Sequence, residues 1–134
     1  MEIIKCVFIG LVIFVIAIAL TLVVKKYAKK ENFTNDGSVK VCLFYATWCG
    51  HCERYLASKV FDKTYTSVKG HTNNIVFEKI DYDQNQNLAE KYDINSFPTI
   101  IAIDGSGKKI DKFNGDRYDI NALEQFAIKA AATH

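Results

Sequence analysis

Cys49 and Cys52 flank a glycine and a histidine within the stretch Phe44–Tyr55, FYATWCGHCERY. Two thiols separated by two residues can exchange with a disulfide, can supply part of a metal site, or can be an accident of composition. Disulfide exchange needs a thiolate, and a thiol at a helix start is biased towards that form by unsatisfied backbone N–H groups and the helix dipole. An apolar run precedes the pair and helical spacing follows it, so Cys49 is expected at that start. Gly50 and His51 carry the turn, and Cys52 follows one turn later, within bonding reach of Cys49. Zinc is the weaker reading. One C-x-x-C supplies two ligands where a structural tetrahedral site needs four, and Cys42, His51 and His71 are scattered without a second pair. No metal and no organic cofactor is expected.

The surrounding pattern sets the frame for the pair. Val39–Tyr45 (VKVCLFY) is nearly all apolar, with β-branched and aromatic residues, as expected of a strand covered on both faces. From Cys52 to about Val68 the positions Leu56, Val60, Phe61, Tyr65 and Val68 recur at helical spacing, predicting one helix. Lys69–Asn74 break the pattern. Ile75–Ile80 predicts a second strand, and Leu88, Ala89, Tyr92 and Ile94 mark a short helix ending before Pro98. Thr99–Ile103 reads as a third strand. Gly105-Ser106-Gly107 then turns the chain into a hairpin with Lys109–Phe113. Asp119 can cap a last helix that presents Ile120, Leu123, Phe126, Ala127 and Ala130 on one face. The order is strand, helix, strand, helix, strand, strand, helix, which gives an α/β three-layer sandwich about a mixed four-stranded sheet.

The chain has 134 residues, room for one globular domain, and its first part is unlike the rest. Cys6–Val24 (CVFIGLVIFVIAIALTLVV) carries no charge, and nineteen residues at ~1.5 Å each reach about 28 Å, close to a bilayer's hydrocarbon core. A domain of this size could hardly bury a helix apolar all round, so a transmembrane helix is predicted. A cleaved signal peptide competes for the same segment, with Lys5 as a weak basic start and Ala17-Ile18-Ala19 as a cleavage-like site. The apolar continuation through Leu20–Val24 favours an uncleaved anchor. The domain plan is therefore an anchor over 1–30, with its span at about 6–24 and a basic flank, a linker over 31–38, and a soluble domain over 39–134. Asn32-Phe33-Thr34 in that linker matches a glycosylation acceptor. The cluster Lys25, Lys26, Lys29 and Lys30 fits anionic headgroups. It is the only strong basic cluster at a net charge of +2, so nucleic-acid binding is not expected. By the positive-inside rule it would put the domain in the cytosol.

The motif Trp48-Cys49-Gly50-His51-Cys52 after a strand resembles the active site of the thioredoxin superfamily. Its Gly-His pair is more similar to protein disulfide isomerase domains than to thioredoxin. Ser96-Phe97-Pro98-Thr99 resembles the family's Pro-Thr segment, and Pro98 is the chain's only proline. Asp81–Asn87, Tyr92 and Ile94 follow the family pattern. Phe113-Asn114-Gly115-Asp116-Arg117 resembles the isomerase segment in which an arginine can swing towards the second cysteine. The similarity covers roughly 39–130.

The resemblance implies a thioredoxin-like sandwich reduced at its N-terminus, preceded here by one transmembrane helix. It implies a cis Phe97–Pro98 bond facing the thiols, with the backbone of Phe97 open to an extended substrate strand. It implies Cys49 as nucleophile, Cys52 as resolving thiol, His51 as a tuner of potential, and Pro98 and Arg117 as further catalytic residues. Trp48, Gly50 and Phe97 are the implied substrate contacts. One position departs: where the family holds a buried acid six residues before the first cysteine, this chain has Leu43, which would leave Lys79 without its usual partner.

The expected activity is thiol–disulfide exchange by a membrane-anchored, single-pass protein-disulfide oxidoreductase. Its partners would be protein substrates with thiols or disulfides, a redox partner protein and the lipid bilayer. A binding or scaffolding module with little turnover is the alternative, supported by Leu43. Gly-His between the cysteines points to an oxidising, endoplasmic reticulum-type lumen, whereas the lysines point to the cytosol. Cys42, in the buried strand, reads as a small hydrophobe, and Cys6 sits at the membrane edge.

Overall fold

The computed structural model describes residues 1–27 and 37–133, and it divides into two compact units, Met1–Asn32 and Phe33–His134. Lys29, Lys30, the Asn32-Phe33-Thr34 sequence and most of the expected linker lie outside the described residues, as do the side chains of Cys6, Lys25 and Lys26. The first unit is one helix, α1 (Glu2–Tyr27). Its stretch Ile3–Thr21, 19 residues, is long and apolar enough to cross a membrane, and none of it is buried. Phe8 and Phe14, for example, are 69% and 67% exposed.

The second unit runs β1 (Val39–Tyr45), α2 (Gly50–Ser58), α3 (Val60–Lys69), β2 (Ile75–Asp81), a 3-10 turn at Tyr82–Gln84, α4 (Gln86–Lys91), β3 (Thr99–Ile103), β4 (Lys109–Lys112) and α5 (Ile120–Ala132). The sheet has the order β2-β1-β3-β4, so β2 and β4 are its outer strands. β1 pairs parallel with β2, from Val39↔Ile75 to Tyr45↔Asp81, and antiparallel with β3, where Leu43 lies opposite Ile100. β4 returns antiparallel along β3 as a hairpin, with a register shift between Ala102 and Ile103.

Alternation along the central strands feeds two cores. Val41, Leu43 and Ile100 point to the face covered by Tyr55, Val60, Phe61 and Val68 of α2 and α3 and by Leu123 and Ala127 of α5. Cys42, Phe44, Ile101 and Ile103 point to the face covered by Ala89, Tyr92 and Ile94. A strand buried on both sides is apolar at odd and even positions alike, which explains the run Val41–Tyr45 in β1, with Lys40 the one charged residue near its start. The three-layer α/β sandwich with a mixed four-stranded sheet is the observed fold.

One element differs from expectation. The helix predicted over Cys52–Val68 is two helices, divided at Lys59, whose φ of 57° and ψ of 15° are left-handed. Its N–H closes on Leu56 O at 3.2 Å, ending α2, and Ser58 Oγ accepts Val60 N–H at 3.3 Å as α3 begins. Both segments lie on one sheet face, so the apolar period runs through the break unchanged. Thr64, fully buried, is the polar residue hidden in that face; its hydroxyl donates to Val60 O at 2.9 Å and is satisfied within the helix. At the C-terminal end Asp119 caps α5, its Oδ1 accepting from Asn121 N–H at 2.9 Å and Ala122 N–H at 3.2 Å.

Candidate active site

The carboxyl end of β1 delivers the thiol pair. After Tyr45 the chain turns through Ala46–Trp48, with Cys49 N–H donating to Ala46 O at 3.2 Å. Cys49 is the N-cap residue of α2, with φ −94° and ψ 109°, and Cys52 lies one turn inside, 1% exposed. Gly50 opens the helix over empty space: a Cβ there would meet nothing within 4 Å.

A carboxylate holds this turn. Asp83, in the 3-10 turn after β2, accepts Thr47 Oγ1–H on Oδ2 at 2.9 Å and Trp48 Nε1–H on Oδ1 at 3.1 Å. The loops after two parallel strands are thereby tied at the edge of the site. No spacing in the sequence singles out Asp83 for this part, since its partners lie 36 and 35 residues away. Trp48 is 66% exposed and stands edge-on to Phe97, with ring centroids 5.9 Å apart, while Tyr82 closes on Phe97 at 4.9 Å.

Both site cysteines are free thiols, and they differ chemically. The Cys49 pKa is lowered, first by a hydrogen bond from the Cys52 thiol, then by the backbone N–H groups of Cys52 and His51, and by the charge of Arg117; partial desolvation opposes this. Cys52 is pushed up to about 11, chiefly by burial, and also because it donates to Cys49 and faces its charge. One sulfur thus favours the thiolate and its neighbour the thiol. As a thiol, Cys49 Sγ lies 3.6 Å from Phe97 O, and the Phe97–Pro98 peptide bond is cis.

His51 contributes to Cys49 through its main-chain N–H, while its exposed imidazole Nδ1 lies 2.8 Å from Arg54 Nη2. Arg117 is exposed and acts on both thiols through its field. It also lines a groove of about 230 Å³ beside Pro98. Trp48, Phe97, Pro98, Cys49 and Cys52 thus converge at one end of the sheet. The fully buried Leu43 packs in the core beneath α2, on the side of Tyr55. Lys79, opposite Leu43 in the β1–β2 pairing, pairs instead with Asp62 of α3, at 2.6 Å. Cys42 points to the other face, and burial raises its pKa to about 12, which makes it inert beside Cys49. Among the described residues no group of three or more His, Cys, Asp or Glu is placed to hold a metal ion.

The thioredoxin family profile matches residues 21–129. A thioredoxin of Coprinus comatus is 36% identical over 102 residues, covering 76% of this chain and 90% of that protein. A protein disulfide-isomerase of Ricinus communis is 36% identical over 91 residues, 64% of this chain but only 18% of the isomerase. The chain therefore spans about a fifth of the isomerases it matches. Among solved structures, the first thioredoxin domain of mouse protein disulfide-isomerase A4 superposes with a TM-score of 0.65 at 28% identity, covering 75% of this chain and 69% of that one.

Proposed function

We propose a thiol–disulfide exchange function for this chain from one premise: it belongs to the thioredoxin family, whose thioredoxin- and isomerase-like members are thiol–disulfide oxidoreductases. The observation that carries the proposal is the unequal pair, a Cys49 thiol of lowered pKa receiving a hydrogen bond from a buried Cys52 of raised pKa. In the reducing direction the Cys49 thiolate attacks one sulfur of a substrate disulfide. A Cys49–substrate disulfide forms, and the other substrate sulfur leaves as a thiolate that takes a proton from water. Cys52 then loses its proton and attacks the Cys49 sulfur, releasing the second substrate thiolate and leaving Cys49–Cys52 oxidised. Two electrons pass from the chain to the substrate. The reverse sequence forms a disulfide in the substrate, and attack followed by return to a different substrate sulfur isomerises one.

Gly50 adds no side chain beside the nucleophile, Trp48 and Phe97 offer apolar surface to the substrate, and the Phe97–Pro98 backbone lies where an extended segment can pair beside the sulfurs. Arg117 stabilises both thiolates, and His51 tunes the couple, for which 30 mV corresponds to about 1.4 kcal/mol. The exposed apolar face of α1 supports an anchored, single-pass arrangement with lipid as its partner, the anchor over 1–30, a linker over 31–38 and the catalytic domain over 39–134. A redox partner protein would restore the pair after each cycle.

The test is turnover. The full chain in neutral detergent micelles is expected to reduce insulin with dithiothreitol as electron source and to oxidise a reduced, unfolded protein with glutathione disulfide as acceptor, and Cys49→Ser abolishes both. A second reading, a module that holds clients with little turnover, draws on Leu43, since among the described residues no Asp or Glu figures among the groups acting on Cys52. Absence of both activities in a folded chain gives that reading the field. Protease accessibility of the domain in sealed vesicles distinguishes a cytosolic from a lumenal placement, and carbonate extraction tests the anchor.

A further inference from the structure

The groove beside the cis peptide carries charge of one sign only. Ser96, Pro98 and Thr99 form one wall, and Lys112, Asn114 and Arg117 stand on the other, around a volume of about 230 Å³. Both cations are exposed. Among the described residues neither Lys112 nor Arg117 pairs with a carboxylate. Asp111 and Asp116 neighbour them in sequence, but neither lines the groove. Each carboxylate is already engaged by a backbone N–H, of Lys112 at 2.8 Å and of Tyr118 at 2.9 Å. The groove opens at Pro98, one residue past the Phe97 carbonyl that lies 3.6 Å from the Cys49 sulfur.

We propose that this groove selects substrate segments bearing a carboxylate, an Asp or Glu side chain within about two residues of the reacting cysteine. The proposal rests on the exchange function above and names its substrate class. An extended segment rises ~3.3 Å per residue and turns alternate side chains to one side. A segment whose cysteine meets Cys49 therefore places a side chain one or two residues away at the groove mouth. There a carboxylate meets two cations without competition, and a lysine meets like charge. Lys112 is the specificity-determining residue in this arrangement, since it stands on β4 away from both sulfurs, whereas Arg117 also acts on the thiols.

The experiment uses the full chain in zwitterionic micelles and symmetric disulfide dimers of a blocked pentapeptide, Gly-Cys-X-X-Gly, with X as Glu, Ala or Lys. The Glu peptide is expected to exceed the Lys peptide in kcat/KM by about three- to tenfold at low salt, the scale of two screened surface charge contacts, and the gap shrinks as salt is raised. Lys112→Glu should invert the order of the Glu and Lys peptides. Should that variant fold poorly by circular dichroism, Lys112→Ala carries the same test by flattening the preference. Equal rates for all three peptides, or a preference indifferent to Lys112, overturn the proposal while leaving exchange itself established. If no peptide turns over, chemical shifts at Lys112 and Asn114 in a Cys49→Ser, Cys52→Ser chain titrated with reduced peptides decide it. Selective perturbation by the Glu peptide supports the groove assignment, and none overturns it. Faster exchange with glutathione disulfide than with the Glu peptide would give the groove to that tripeptide and overturn the assignment to protein segments.

Discussion

Leu43 and Lys79 stand opposite each other in the β1–β2 pairing, and Lys79 reaches away from that apolar neighbour to Asp62 at 2.6 Å. A lysine at this place needs a counter-charge, and α3 supplies it at the surface where β1 supplies none in the core. Among the described residues no carboxylate acts on the buried Cys52 thiol, and burial pushes its pKa up to about 11.

Placing an acid at position 43 should therefore trade stability for speed. Leu43→Asp buries a carboxyl in an apolar cluster and is expected to lower unfolding free energy by about 3 kcal/mol or more, as read from urea denaturation. The same change should accelerate resolution of a Cys49 mixed disulfide at neutral pH relative to Leu43→Ala, a variant similarly destabilised but without a base. Equal stopped-flow resolution rates in the two variants would rule out a missing proton acceptor as the limit on turnover.

The thiols should separate cleanly by pH. Only a thiolate reacts with iodoacetamide, and the Cys49 pKa is lowered, so its alkylation midpoint is expected below the ordinary thiol value of 9.0. Cys52 remains protonated until about 11. Mass spectrometry of the reduced Cys6→Ser chain below pH 9 should show a single added label, mapped to Cys49, since Cys42 and Cys52 are both held protonated by burial. Two labels appearing together would contradict the asymmetry.

Arg117 lowers the pKa of both thiols through its charge. In Arg117→Met the pH–rate profile for alkylation of Cys49 should move to higher pH and the rate at neutral pH should fall. Arg117→Lys should retain most of the effect at low salt, since it keeps the charge. A profile unmoved by Met confines this residue to the groove.

Asp83 should matter to the turn more than to the chemistry. Asp83→Ala removes an acceptor shared by Thr47 and Trp48, with an expected loss of about 1 kcal/mol of stability and a red-shifted emission from Trp48, the chain's single tryptophan. The Cys49 alkylation midpoint should hardly change, because Asp83 is not among the groups acting on it.

Lys59 occupies a left-handed conformation that costs a residue with a Cβ about 1–2 kcal/mol and costs glycine almost nothing. Lys59→Gly is expected to raise unfolding free energy by about 0.5–1 kcal/mol after the greater freedom of the unfolded glycine is counted. Thermal and urea unfolding measure it; a loss of stability would show that the Lys59 side chain does more than interrupt the helix.

These residues also mark where the sequence was legible. β1 can be bounded to the residue because burial on both faces favours an apolar run, and the Cys49–Cys52 pair stands out because its spacing matches one helical turn. The break at Lys59 left no trace in the apolar period, since periodicity records which face a side chain takes and says nothing of the sign of one φ. Thr64 carries no apolar signal, yet its hydroxyl closes on its own helix and is no obstacle to burial. Asp83 and Asp62 escaped for another reason: their contacts join segments far apart in the chain, and a carboxylate's partner is settled only when the strands are in register.

β2 ends the sheet, and the seven residues from Ile75 to Asp81 have β1 as their single strand neighbour among the described residues. A rim of that kind is a template on which another chain's backbone can continue the ladder, the first step towards a fibre. Glu78 and Lys79 keep that rim solvated by standing exposed at its middle, with Val76 as its one large exposed apolar side chain. Lys79 therefore has a second duty besides its bond to α3: it is part of what keeps neighbouring molecules from zipping together.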